Sequence, residues 1–249
     1  MDRQGLGGKT AFISGSGRNI GRASALELAR RGCNVIVNGA SNQALCEETA
    51  EGVRALGVKS LVVMGDISKR ETVAELAEKA FAQFGRVDIV VNNAAIRPHK
   101  PFLETTEEEW HRIIGIDLHA SFHTIRTFLP GMIDAGWGRV VNITGMHAIH
   151  GYMHRAPISA AKHGLWGMTK ALAKEFGPNG VTVNAISPGT VRDETANEEI
   201  ARAKQANAAH IPVGHIGEPD DIAGVVGFLC SDAAGYINGQ VIGIDGGMS

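Results

Sequence analysis

The chain has 249 residues, which is enough for one large α/β domain with its own hydrophobic core. Hydrophobic residues make up 44% and charged residues 20%, and the formal net charge of −2 offers no basic surplus for nucleic acid or an anionic membrane. With no apolar run near the ~20 residues of a membrane span and no signal-like N-terminus, we expect a cytoplasmic protein whose three cysteines are reduced.

Short apolar runs alternate with longer helical patterns along the whole chain. The runs are rich in Val and Ile and nearly continuous in apolar character, as is typical of strands buried on both faces of a parallel sheet. The predicted strands are Thr10–Ser14, Asn34–Asn38, Ser60–Met64, Asp88–Asn92, Arg139–Ile143, Val181–Ile186 and Val241–Ile244. The predicted helices are Ile20–Arg31, Gln43–Leu56, Arg70–Phe84, Thr106–Ala135, Ala156–Phe176 and Pro219–Cys230.

This alternation predicts an α/β fold. We expect a Rossmann-type, doubly wound parallel sheet of about seven strands, with right-handed crossovers and helices on both faces. The sequence contains no domain linker and no repeat of fixed period, so we predict a single domain over residues 1–249. Residues 189–218 lack a strand signal and include an Ala-rich helical pattern at Glu198–Ala209, which predicts a substrate lid over the carboxyl edge of the sheet.

Two of the predicted helices begin with the spacing of a capping box. Ser68 is followed by Glu71, and Thr106 is followed by Glu109. In this arrangement the hydroxyl accepts from a backbone N–H three residues on, and the carboxylate accepts from the capping residue. We therefore expect Ser68 and Thr106 to cap the third and fourth helices.

A glycine-rich segment, Ser14–Gly21, follows the first strand and opens the first helix. Such a turn lets backbone N–H groups approach a pyrophosphate at the helix N-terminus. Its position at the first strand–helix junction makes the signal specific. Asn19 tolerates left-handed backbone, so we expect the turn to keep its shape. The alternative is a tight turn that binds no ligand.

The end of the second strand bears on the choice of dinucleotide. NAD-binding folds place an acidic residue there to hold the ribose hydroxyls, but this strand ends with Asn38 and Gly39. Arg18 in the glycine-rich turn offers a guanidinium that can hold the 2′-phosphate of NADP in a bidentate manner. We therefore predict NADP(H) as the cofactor and consider NAD less favoured. The alternative for Arg18 is a solvent-facing charge.

These and later motifs resemble those of the short-chain dehydrogenase/reductase family. Ser14–Gly21 is similar to T-G-x-x-x-G-x-G, Asn92–Ala95 to N-N-A-G, and Asn184–Gly189 to N-x-x-x-P-G. With the C-terminal signature at Gly239–Gly247, the resemblance spans nearly the whole chain. The resemblance, together with the turn, implies cofactor contacts from Gly15, Arg18, Asn19, Ile20, Gly21, Asn38, Asp66, Ile67, Asn93, Ala94, Lys162, Pro188, Gly189 and Val191.

The family's catalytic positions are only partly kept. The resemblance implies a Tyr that transfers the proton, a Lys that lowers the pKa of that Tyr and binds the ribose, a Ser that orients the carbonyl, and an Asn. Lys162 is kept, but Ile158 stands in the Tyr position, Gly145 in the Ser position and Asp117 in the Asn position. Loss of a positioned general acid typically costs about 10²–10⁴ in rate. Ordinary ketone reduction is therefore predicted to be weak or absent.

A histidine offers a replacement for the missing phenol. His147 lies two residues past the vacated Ser position, and histidine titrates near neutral pH. We predict His147, alone or with His150 or Tyr152, as the proton donor, and the alternative is that these are loop or interface residues. His147, His150 and His154 could also bind a metal, but no nearby Cys or carboxylate supports this, and we predict no metal.

The sequence leaves three functions open. The first is an NADP-linked oxidoreductase that acts on a small carbonyl or alcohol substrate. The second is a non-catalytic NADP(H)-binding protein or a partner subunit of an active paralogue, and the third is a lyase or isomerase without net hydride transfer. By resemblance we expect a homotetramer, with neither a nucleic-acid nor a membrane partner.

Asp193 stands where relatives often have Thr, so its carboxylate disfavours cofactor phosphates unless a cation such as Arg192 offsets it.

Overall fold

A computed structural model describes residues 5–146, 150–194 and 207–249. His147 and most of the predicted helical segment Glu198–Ala209 lie outside the described residues. The strands are β1 (Thr10–Ile13), β2 (Asn34–Gly39), β3 (Ser60–Met64), β4 (Ile89–Asn92), β5 (Gly138–Ile143), β6 (Val181–Pro188) and β7 (Val241–Ile244). The helices are α1 (Asn19–Arg30), α2 (Gln43–Ala55), α3 (Arg70–Phe84), α4 (Glu107–Ile114), α5 (Ala120–Asp134), α6 (Ala156–Phe176) and α7 (Pro219–Cys230).

The described strands form one seven-stranded sheet in the order β3-β2-β1-β4-β5-β6-β7. Each pair of neighbouring strands is parallel. The chain winds outward from β1 through β2 to β3 and then returns to the other side of β1 with β4. The doubly wound fold is therefore confirmed, and the point of reversal lies between β1 and β4, where ligands bind in such sheets.

Hydrophobic residues cover both faces of the sheet. Along β1, Ala11 and Ile13 belong to the core cluster beneath α1 and α7, whereas Phe12 belongs to the cluster beneath α3 and α5. Successive side chains of a strand point to opposite faces, so one short strand contributes to both layers. The near-continuous apolar character of the strand follows directly from this two-sided burial.

One of the two predicted helix caps is confirmed and the other is wrong. Thr106 Oγ1 accepts from Glu109 N at 3.2 Å, and the Glu109 carboxylate accepts from Thr106 N at 2.9 Å. The third helix begins after Lys69, which makes no side-chain capping bond. The Ser68 hydroxyl instead donates to Asp66 Oδ1 at 2.8 Å. Because the helix begins at Arg70, its capping position is Lys69, and Ser68 lies one residue too early to cap α3.

The predicted helix Thr106–Ala135 is continuous, but its middle is widened. α4 and α5 are joined by a π-helical turn at Gly115–His119. Such turns are frequent at functional sites. Here the turn carries Asp117, whose side chain is buried.

Among the described residues, no helix combines the length and apolar character that crossing a bilayer requires. The three cysteines, Cys33, Cys46 and Cys230, are free and buried. Burial raises the pKa of the Cys230 thiol from 9.0 to about 12, so it stays protonated near neutral pH.

Candidate active site

The glycine-rich turn between β1 and α1 is fastened to the end of β4. Asn93 N and Ala94 N donate to Ser14 Oγ at 2.9 and 3.0 Å. Asn93 Nδ2 donates to the carbonyl oxygens of Ser14 and Gly15, both at 3.0 Å. A Cβ on Gly21 would lie 2.3 Å from Gly15 O, so only glycine permits this approach of helix to turn. The structure thus brings Asn93 and Ala94 to the turn.

Asn19 adopts the left-handed backbone that the sequence predicts, with φ 49°. Its Nδ2 donates to Asp193 Oδ1 at 2.9 Å, and its Oδ1 accepts from Glu194 N at 2.9 Å. Asn19 N also donates to Glu194 Oε2 at 3.4 Å. We call these contacts the 19–194 clasp. The clasp places two carboxylates beside the N-terminus of α1, where a phosphate is otherwise favoured.

Arg192, the cation that the sequence offers to offset Asp193, pairs with Glu218. Both members of this pair are exposed. The guanidinium is thereby held toward the start of α7.

The carboxyl ends of β2 and β3 are joined by the buried side chain of Asn38. Its Nδ2 donates to Val63 O at 3.0 Å and to Gly65 O at 3.3 Å. Asp66 Oδ1 accepts from both Ser68 N and the Ser68 hydroxyl, at 3.0 and 2.8 Å. Asn38 and Asp66 thus lie at the same edge of the sheet as the glycine-rich turn. The Asn38 amide group and Asp66 Oδ1 already stabilise the turns around them.

The segment after β6 returns to the C-terminal strand at this edge. Gly189 N donates to Ile244 O at 2.9 Å, and a Cβ on Gly189 would lie 2.7 Å from the Cα of Asp245. Val191 then pairs with Gly217 in an isolated parallel bridge. Pro188, Gly189 and Val191 therefore lie along the carboxyl edge, where the cofactor contacts are predicted.

Lys162 is the centre of a buried ionic contact. Its Nζ donates to Ile143 O at 3.1 Å and lies 3.6 Å from Asp117 Oδ2. Asp117 Oδ1 accepts from Ile96 N at 2.9 Å. Burial lowers the pKa of Lys162, and the Asp117 carboxylate opposes that shift. The pair links α6, the π-helical turn, the end of β5 and the loop after β4.

Positions 158 and 145 differ in how well they could accommodate a side chain that carries a hydroxyl. Ile158 is buried in α6, one turn before Lys162, and it lines a cavity of about 470 Å³. The backbone of Gly145 has φ 135°, a conformation that residues other than glycine rarely adopt. A ring at position 158 therefore has space beside it, whereas a serine at position 145 strains the backbone.

The other candidate residues of the β5–α6 segment make separate contacts and do not form one cluster. The Tyr152 hydroxyl contacts Met146 Sδ at 3.8 Å, and its side chain is 43% exposed. His150 is exposed, and the His154 ring packs against His99 with 5.0 Å between ring centres. In residues 5–146, 150–194 and 207–249, no three His, Cys, Asp or Glu residues converge as metal ligands.

Sequence reasoning missed two arginines of this region. Arg97 and Arg112 line the same cavity as Ile158. Arg97 follows the Asn-Asn-Ala-Ala-Ile segment after β4, and Arg112 precedes Asp117 by five positions on the helical stretch. Nearness to these motifs was the signal that could have found them.

The strand order, the glycine-rich turn at the point of reversal and the buried lysine on a crossover helix define a Rossmann-type α/β domain. Comparison with known proteins identifies the family. A family model described as enoyl-(acyl carrier protein) reductase matches residues 15–249. The chain belongs to the short-chain dehydrogenase/reductase family, whose members include oxidoreductases.

Relatives of known name and solved structure cover almost the whole chain. The 3-oxoacyl-[acyl-carrier-protein] reductase FabG of Staphylococcus epidermidis is 37% identical over 240 residues, which are 96% of this chain and 98% of the relative. FabG of Aquifex aeolicus is 39% identical over 246 residues, 98% of each chain. A crystal structure described as a candidate short-chain alcohol dehydrogenase from Sinorhizobium meliloti has TM-score 0.93 and 33% identity, and the match covers 98% of each chain.

Proposed function

We propose that this chain is an NADP(H)-binding oxidoreductase for a small carbonyl or alcohol substrate, with weak or absent ordinary ketone reduction. Membership of the family supports the oxidoreductase class. The observation that supports weak or absent ketone reduction is Ile158, a buried hydrocarbon side chain one turn before Lys162. The resemblance puts a proton-donating phenol at that position.

The residues at the carboxyl edge fit a phosphorylated dinucleotide. The turn from Gly15 to Gly21 offers backbone N–H groups to the pyrophosphate, and Arg18 offers a guanidinium to a 2′-phosphate. β2 ends in Gly39 without a carboxylate that would repel this phosphate. Lys162 would hold the ribose. When bound, NADP(H) supplies or accepts the hydride, and the names of the FabG relatives favour the reductive direction.

The chain's own residues determine how the proton is handled. A carbonyl oxygen that gains negative charge on reduction needs a donor placed beside it. Ile158 and Gly145 carry no hydroxyl, and Lys162 already donates to Ile143 O. His147 is the predicted replacement donor. Turnover therefore depends on that histidine or falls to the level of unassisted protonation by water.

The direct test combines cofactor binding with turnover. NADPH and NADH are titrated by nicotinamide fluorescence, and a panel of small ketones, aldehydes and alcohols is followed by nicotinamide absorbance. We expect NADPH to bind more tightly than NADH, with turnover about 10²–10⁴-fold below that of relatives with the phenol. His147→Ala should abolish the residual turnover. The proposal is contradicted by absence of NADPH binding, or by rapid turnover that His147→Ala leaves unchanged.

A second candidate is a non-catalytic NADP(H)-binding protein or a partner subunit of an active paralogue. The backbone of Gly145 favours it, because φ 135° shows a loop adapted to glycine rather than to a hydroxyl-bearing residue. NADPH binding without turnover across the panel, together with co-purification of an active paralogue, would favour this function over the first.

We further propose a homotetramer built on α4, α5 and α6 and on the C-terminal strand. Phe122 on α5 is 46% exposed, and Tyr236 before β7 is fully exposed. Apolar side chains of this size favour burial against another subunit. Light scattering after size exclusion tests the assembly, and Phe122→Asp should reduce its mass. A monomeric wild-type chain would contradict it.

A further inference from the structure

The cavity beside Ile158 has a size and floor suited to a small organic ligand. Its volume of about 470 Å³ falls within the usual range for small-molecule sites. It lies between the loop after β4, the helix α4 and the start of α6. Its apolar lining comes from Ile96, Pro98, Ile113, Pro157 and Ile158.

Three cationic side chains, Arg97, Lys100 and Arg112, line the rest of the cavity together with Thr105 and His154. The one carboxylate among the lining residues is Glu109. Both oxygens of that carboxylate accept from Lys100 Nζ, at 2.8 and 2.7 Å. The bonds from Lys100 lower the pKa of Glu109, so it stays ionised. Glu109 is therefore already engaged in neutralising Lys100.

The two arginines keep their charge available. Across the described ranges, neither Arg97 nor Arg112 forms an ion pair with a carboxylate. A chain of net charge −2 thus presents two exposed guanidinium groups, neither in an ion pair within the described ranges, at one partly apolar cavity. A guanidinium matches the two oxygens of a carboxylate with a pair of parallel hydrogen bonds.

A strained residue fastens the loop that carries Arg97. His154 has φ 63°, in the left-handed region that residues other than glycine seldom occupy. Its carbonyl oxygen accepts from Lys100 N at 2.9 Å, which ties the segment before α6 to the loop after β4. Strain of this kind concentrates at binding sites, where the surrounding contacts maintain it.

The cavity also adjoins the position of the missing phenol. Ile158 belongs to its wall, and the next turn of α6 holds Lys162. Ile96, another wall residue, donates its N–H to Asp117. A ligand in the cavity therefore lies beside the residues assigned to the reaction.

We propose that this cavity binds the carboxylate of a short-chain oxo or hydroxy acid, with Arg97 and Arg112 holding the carboxylate and Ile113, Pro157 and Ile158 contacting the carbon chain. This assignment rests on the proposed function, because it names the substrate class of that site. A carboxylate with a carbon chain fits better than a bare phosphate, because burial of the chain against the apolar lining residues stabilises the complex.

The test measures binding by calorimetry with the full chain. The probes are butyrate, hexanoate and levulinate, each compared with its methyl ester, and inorganic phosphate. We expect the carboxylates to bind at least about tenfold more tightly than their esters, because a charged hydrogen-bonding pair is lost in the ester. Arg97→Ala and Arg112→Ala should each weaken binding by about tenfold or more. Arg54 is an exposed arginine on α2 outside the cavity, and Arg54→Ala is the matched control.

Several outcomes overturn the inference: no carboxylate binds, the esters bind equally well, phosphate binds more tightly than the carboxylates, or both arginine variants match the control. NADPH titration on the same proteins separates this inference from the proposed function. NADPH binding without carboxylate binding overturns this inference alone. Carboxylate binding without NADPH binding overturns the proposed function and supports the anion-binding cavity.

Discussion

Replacing Ile158 with tyrosine tests whether the missing phenol is what limits ketone reduction. The side chain at 158 is buried one turn before Lys162, and it borders the 470 Å³ cavity. The larger ring can therefore extend into existing space. Overpacking typically costs about 1–3 kcal/mol, less than the about 5–15 kcal/mol by which folded domains are stable. The variant should fold.

The expected gain follows from the general-acid contribution. A positioned proton donor is worth about 10²–10⁴ in rate, so Ile158→Tyr should raise kcat for a small ketone by up to that factor. Adding Gly145→Ser should raise kcat by less than a carbonyl-orienting hydroxyl would in an unstrained loop. The backbone at φ 135° makes a side chain there cost about 1–3 kcal/mol.

The assay is NADPH oxidation with the ketone panel, run beside Ile158→Phe as the matched control. Phenylalanine fills the same space without a hydroxyl, so it should give no gain. Thermal melting and NADPH titration verify that each variant folds and binds cofactor. The reasoning is refuted if Ile158→Tyr folds, binds NADPH and shows the same turnover as Ile158→Phe.

Four further substitutions test other parts of the molecule. Arg18→Ala should weaken NADPH about tenfold or more by fluorescence titration and leave NADH unchanged, because the bond to the 2′-phosphate is charge-assisted; equal losses for both would remove the basis for preferring NADP. Glu194→Gln should tighten NADPH binding by a few-fold at low salt, with the gain shrinking as salt screens the charge; a loss of affinity would show that the carboxylate does not oppose the cofactor. Lys162→Met should lower the free energy of unfolding by about 3–5 kcal/mol in urea, because Asp117 is left buried without its cation, and Lys162→Met with Asp117→Leu should recover part of it; equal destabilisation by single and double variants would contradict this. Burial raises the pKa of the Cys230 thiol, so its contribution to stability is full below pH 9 and lost as pH rises toward 12; Cys230→Ala should therefore flatten the alkaline fall in stability, and an unchanged slope would contradict this.

The fold was predictable because its signals are local and repeated. Strands such as β1 are apolar on both faces, as burial between two helical layers requires, and the glycine-rich turn lies where its strand and helix meet. The cap at Thr106 was predictable because all of its partners lie within three residues. Local patterns of this kind survive folding when nothing distant competes.

A one-residue shift in the start of α3 explains the failure at Ser68. The helix begins after Lys69, and Ser68 donates both its N–H and its hydroxyl to Asp66 Oδ1 in the preceding turn. A spacing rule registers the Ser–Glu pair but not this turn. Charge-assisted bonds are roughly twice as strong as neutral ones, so the carboxylate of Asp66 stabilises Ser68 in the turn before the helix.

The candidate site was predictable only in part, because its remaining contacts are long-range. Asn19 and Glu194 are separated by 175 positions, and no local pattern links them. The cavity likewise draws Arg97, Arg112 and Ile158 from different elements.

Under the proposed function, the 19–194 clasp makes capture of the cofactor a displacement reaction. The N–H of Asn19 cannot serve both the Glu194 carboxylate and a pyrophosphate oxygen, so uptake of one and release of the other form a single equilibrium. If the clasp is closed in about nine molecules of ten, the measured dissociation constant is about ten times the intrinsic one. A weak measured affinity for the cofactor would then reflect competition from Glu194 for the Asn19 N–H, and not a cleft that fits the cofactor poorly.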